Sequence, residues 1–219
     1  MTVAAWKQPL LAVDVVLVRF HPERGLEFGT SERAAEPARG EQALPGVLVR
    51  SDESLTDAAS RAVGTKAGIA DEAVRHLDQL HVFDTPGRED STVESGRERS
   101  WSLAFLGVVD PAAATGEHVR WHSASGPALG LPFDHDDIVD FARQHIRARL
   151  WSDVAMTRAL TGDSFSTRLG ADLEAAATGV QPHASNFHRR LTGLADLERL
   201  DEKSPSGGRP AHVWKWRRP

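Results

Sequence analysis

The sequence predicts a mixed α/β (α+β) layered domain followed by a mostly helical domain that closes on a short hairpin. Three observations predict it. A valine-rich strand at 13–20 is followed by an amphipathic helix and two more strands. At residue 134 the texture changes to apolar residues at helical spacing. Near the end a Gly-rich turn separates two short strand-like stretches. The junction is placed at Leu131-Pro132-Phe133, which gives domains 1–133 and 134–219.

The first element, VDVVLVRF from Val13 to Phe20, has the β-branched density of a sheet strand. The Pro/Gly/Glu-rich stretch after it, through Gly40, reads as loop. A Pro45-Gly46 turn then leads to a helix over Glu53–Lys66, with Leu55, Ala58, Ala59, Ala62 and Val63 on one face. Asp52 is placed to cap its start and Gly68 to end it. Leu80–Phe83 and Ser100–Val109 read as strands flanking a polar loop. From Asp134, Ile138, Phe141, Ala142 and Ile146 mark a helix, three further helical stretches follow, and Ala211–Trp216 is the last strand.

Composition sets bounds on function. The chain has 219 residues, 40% apolar and 26% charged, the range of an ordinary globular protein. It has no cysteine, which excludes disulfides and thiolate metal sites. No signal segment and no apolar run of membrane-spanning length is visible, so a cytoplasmic protein without membrane contact is expected. The net charge of -5 hides an asymmetry. Residues 1–133 carry 13 Lys and Arg against 19 Asp and Glu, whereas the last forty residues carry 8 against 4. Local charge decides contact with phosphates, and the positive end is the tail.

Residues 46–69, GVLVRSDESLTDAASRAVGTKAGI, hold Glu53, Arg61, Val63, Gly68 and Ile69 at the spacing of the Nudix signature, and the segment resembles that signature. Val47 stands at its first glycine, while Ala62, Thr65 and Lys66 stand at its three carboxylates. Diphosphate hydrolysis of this kind needs a divalent cation on oxygen ligands. Alanine and threonine supply no charge and Lys66 repels a cation, so no catalysis, no metal and no cofactor are expected. The resemblance implies a Nudix-like sandwich kept as a ligand pocket. Glu53 and Arg61 are candidate ligand contacts or ordinary fold residues. In the loop after Phe83, Arg88 matches a diphosphate bidentately or is an exposed turn arginine. Trp101 is a candidate for stacking on adenine or a core residue.

Residues 134–219 resemble the DNA-binding part of the Nudix-related transcriptional regulators of the NrtR family. The likeness lies in Leu131–His135, in PHASNFHRRL from Pro182 to Leu191, and in Ser206-Gly207-Gly208-Arg209-Pro210-Ala211. It implies a winged helix-turn-helix in which Phe187 and Leu191 dock the recognition helix. His183, Ser185, Asn186, His188, Arg189 and Arg190 are left for DNA, and Gly208 and Arg209 form the wing. Trp214 and Trp216 share one side of the last strand and read as packing.

The expected function is a ligand-responsive transcriptional regulator, a repressor of NAD-metabolism or related genes. It is expected to bind double-stranded operator DNA as a homodimer and to sense ADP-ribose or a similar diphosphate metabolite. Two alternatives remain open at this point: a Nudix hydrolase of ADP-ribose or another nucleoside diphosphate derivative, and a sensor that acts on a protein partner.

Overall fold

The computed structural model describes residues 9–85, 100–204 and 211–217. Its main sheet is built on two adjacent parallel strands, β1 (Leu10–His21) and β6 (Ser100–Val109), paired from Leu10↔Ser100 to Val18↔Val108. β5 (Val74–Phe83) flanks β6, while β2 (Gly25–Glu32) and β4 (Gly46–Leu48) pair with β1; β3 (Gln42–Ala43) and β7 (Val119–Ser123) pair with β2. The valine-rich strand is therefore central and covered on both faces, the environment that selects continuous β-branched runs.

Alternation along β1 sorts its side chains between two apolar clusters. Val13, Val15 and Leu17 pack with Ala58, Ala59, Ala62 and Val63 of the first helix region. Val16, Val18 and Phe20 face the other way, into a larger cluster containing Ile138, Ile146, Met156, Phe187 and Trp214. The apolar core thus runs on past residue 133. The helices of the second half are α2 (His135–Arg149), α3 (Val154–Thr161), α4 (Thr167–Thr178) and α5 (Ala184–Gly193). A small antiparallel sheet completes that half, with β10 (Ala211–Trp216) between β8 (Ser164–Ser166) and β9 (Leu197–Ser204).

Several expectations change in detail. The stretch to Gly40 contains β2, a nearly fully buried strand. Its pattern is obscured in the sequence by Glu27, whose charge is met inside the fold by Arg19 at 2.8 Å and Arg24 at 3.3 Å. Helix α1 spans Leu55–Ala62 and is capped by Ser54, not Asp52, through a reciprocal capping box with Asp57. Leu55, expected on the buried face, is exposed, while Ala58 and Ala59 are fully buried. The helix continues as a π-helical turn, Val63–Ala67, and stops at Gly68, whose left-handed φ of 62° disfavours a side chain. β3, β7 and β8 are two to five residues long, too short to show a period in the sequence. Among the described residues no helix is long and apolar enough to cross a membrane.

Candidate functional site

The residues of the box surround a cavity of about 510 Å³. Arg61, Thr65 and Lys66 line it from the helix, Gly46–Leu48 from β4, Glu32 from the end of β2, and Arg33 and His118 from loops. Arg61 does not point freely into this space. Its Nη2 and Nε donate to the Glu53 carboxylate at 2.5 and 2.9 Å, and Nη2 also donates to the Leu48 carbonyl at 2.9 Å. The Arg50 amide donates to the same carboxylate at 2.8 Å. The Arg61 hydrogen bond is the main cause that lowers the Glu53 carboxyl from 4.5 to about 2. Glu53 and Arg61, candidate ligand contacts or fold residues by sequence, thus clasp the turn before α1 onto the helix, and Arg61 lines the cavity.

Ala62 is fully buried against the sheet, while Thr65 donates its hydroxyl to the Arg61 carbonyl at 2.6 Å. Lys66 is exposed and has no ion pair or hydrogen bond among the described residues. Trp101 is 39% exposed at the start of β6, opposite Leu11, and is not among the described lining residues of the cavity. Pro86-Gly87-Arg88 lies outside the described residues.

Two contacts join this cavity to the start of α2, and sequence reasoning missed both. The Leu44 amide donates to Nδ1 of His135 at 3.0 Å. With Nδ1 accepting, Nε2 carries the proton; it faces Asp14 Oδ1 at 3.7 Å, and Asp14 accepts from Ser102 at 2.5 Å. The Arg33 guanidinium lies 4.9 Å from the ring of Phe133, a non-glycine residue at φ 64°. The only hint in the sequence was the Leu131–His135 segment; its partners Leu44 and Arg33 lie 91 and 100 residues from His135 and Phe133 and carried no signal.

At the far end of the chain, α5 buries Phe187 and Leu191 and exposes Ser185, Asn186 and Arg189, as its sequence predicts. Ser185 shares a hydrogen bond with His183 Nδ1 at 3.0 Å, and Arg189 donates to Asn186 Oδ1 at 3.1 Å. His188 is half-buried, its ring 5.4 Å from that of Trp214. Arg190 is held at 2.5 Å by buried Glu174, which also accepts from Trp151 Nε1 at 2.9 Å. Trp214 and Trp216 are both buried, their indoles bonded to Thr167 and Thr161. Gly207, Gly208 and Arg209 lie outside the described residues.

A larger cavity, about 710 Å³, opens between β5 and α3, away from the box. Its Arg75 and Arg158 are already paired, with Asp110 at 2.6 Å and Asp163 at 2.8 Å.

No family model matches the sequence, and no curated protein matches it. Solved structures do. NrtR of Shewanella oneidensis, complexed with a 27mer DNA, superposes with a TM-score of 0.75 at 20% identity, over 94% of this chain and 93% of that one. This chain has the fold of NrtR. A MutT/nudix family protein from Enterococcus faecalis gives a TM-score of 0.73 at 22% identity, over 97% of this chain and 90% of that one. The NUDIX domain of the Shewanella NrtR, complexed with ADP ribose, matches 65% of this chain with 91% of its own length, at 25% identity and a TM-score of 0.52. The NrtR fold therefore accounts for both halves, the sheet with its box and the helices with their small sheet.

Proposed function

We propose that this protein is a ligand-responsive DNA-binding regulator in which a non-catalytic Nudix-like unit, 1–133, senses a nucleoside diphosphate metabolite such as ADP-ribose. A winged helix-turn-helix, 134–219, binds operator DNA as part of a homodimer and represses. The observation that carries the reading is α5, with Phe187 and Leu191 buried and Ser185, Asn186 and Arg189 presented to solvent. In a helix-turn-helix the second helix enters the major groove, where Asn reads adenine and Arg reads guanine. Here α4 and α5 supply the two helices and β9 and β10 the strands of the wing. The likeness to NrtR over both halves supports this assignment, and the ADP-ribose complex of its NUDIX domain supports the ligand class.

The ligand acts by preferring one arrangement of the two units, which changes DNA affinity by the difference in its own affinity for the two. The test is a titration of the intact protein against DNA upstream of its own and neighbouring genes, with and without ADP-ribose. Sequence-selective binding that shifts with ADP-ribose is expected, and Asn186→Ala weakens it by about 1 to 3 kcal/mol at particular bases. Binding that is indifferent to sequence, or absent, overturns the reading. ADP-ribose is recovered intact after incubation with magnesium; AMP release at an ordinary enzymatic rate, about 1 per second or faster, points to a hydrolase instead.

A further inference from the structure

We infer that the cavity at the box takes the diphosphate of its ligand directly on Lys66, without a divalent metal. This rests on reading the cavity as the nucleoside diphosphate site. The Nudix fold implies a divalent cation, and such a cation demands several oxygen ligands. The residues present do not fit one. At the three carboxylate positions stand a buried methyl group, a neutral hydroxyl and an ammonium, none of which supplies the negative charge of a carboxylate. Both oxygens of Glu53 are taken by Arg61, and among the described lining residues Glu32 is the one carboxylate. No group of three His, Asp or Glu among the described residues is placed to hold a metal.

The same wall suits an anion. Lys66, Arg33 and His118 line the cavity with Arg61, whose charge Glu53 already balances, and Glu32 stands against them. Arg33 is engaged by the Pro37 carbonyl and by Phe133, whereas Lys66 has no partner among the described residues to give up. Its ammonium carries three donors, and a charge-assisted bond to a phosphate oxygen does for the ligand what a bridging cation does in a hydrolase. The substitution that removes the metal thus supplies its electrostatic replacement.

Calorimetric titration of the full chain with ADP-ribose, and separately with inorganic pyrophosphate, is run in EDTA and in magnesium. Both titrants bind at least as tightly in EDTA. Lys66→Ala weakens both by about tenfold or more, the worth of one hydrogen bond to a charged group. Lys66→Arg keeps most of the affinity, and neither substitution lowers the melting temperature, because the side chain is exposed and has no ion pair or hydrogen bond among the described residues. If ADP-ribose binds only with magnesium, the metal-free inference fails while the sensor reading stands. If Lys66→Ala leaves both affinities unchanged, the lysine assignment fails. If neither titrant binds in either buffer, the inference and the ligand reading fall together.

Discussion

On the polar side of α5 the two adjacent arginines differ in what holds them. Arg189 is exposed and, among the described residues, bonded only to Asn186, its neighbour one turn back, a contact it can exchange for a base or a phosphate. Arg190 is tied across to Glu174, a carboxylate 9% exposed that also satisfies the Trp151 indole. Removing the guanidinium leaves a buried charge with one bond fewer. Arg190→Ala therefore lowers the unfolding free energy by about 1 to 3 kcal/mol, measured by urea denaturation, whereas Arg189→Ala stays within about 0.5 kcal/mol of the parent. Equal stability of the two variants would contradict this division of roles. The sequence showed two basic residues on a helix; which one belongs to the fold was decided by Glu174, sixteen residues earlier.

Helix α4 owes its place to a glycine. A Cβ on Gly170 would lie 2.9 Å from Phe165, 3.1 Å from Phe187 and 3.2 Å from Trp151, all ring atoms of packed side chains. The glycine lets α4 approach the aromatic cluster that also anchors α5, so the presentation of Asn186 and Arg189 depends on it. Gly170→Ala gains about 1 kcal/mol of helix propensity and incurs about 1 to 3 kcal/mol of overpacking. The net expectation is a lower melting temperature and weaker DNA binding; a rise in melting temperature would show that the rings yield without strain. The π-helical turn Val63–Ala67 is a second feature of this kind, since it sets the direction in which Thr65 and Lys66 leave the helix at the cavity.

Across the whole molecule the cavity and α2 are joined by Leu44 to His135 and by Arg33 to Phe133. A ligand in the cavity that displaces Arg33 from Phe133 acts on the segment that opens α2, and α2 packs into the cluster shared with α5. His135→Ala is expected to leave ADP-ribose binding in place while shrinking the ratio of DNA affinities with and without ADP-ribose. Allosteric couplings of about 1 to 3 kcal/mol are typical, so a several-fold ratio in the parent should fall toward one. Two DNA titrations of each protein, at zero and saturating ADP-ribose, give that ratio directly, and an unchanged ratio would remove His135 from the coupling.

The sequence by itself determined the layered α/β class, the central strands β1 and β6, the helix ended by Gly68, the four helices after residue 134 and the docking pair Phe187 and Leu191. These are local signals, carried by spacing of 2 or 3.6 residues and by the cap at a helix end. The residues of the box were legible for the same reason, since their register is fixed within one segment. The tertiary structure alone decided that β2 is a buried strand, that Glu53 and Arg61 clasp each other, that Arg190 belongs to Glu174, and that His135 answers to Leu44. Each of these depends on a contact between a charge or a polar atom and a partner brought up by folding, and spacing along the chain holds no record of such a partner.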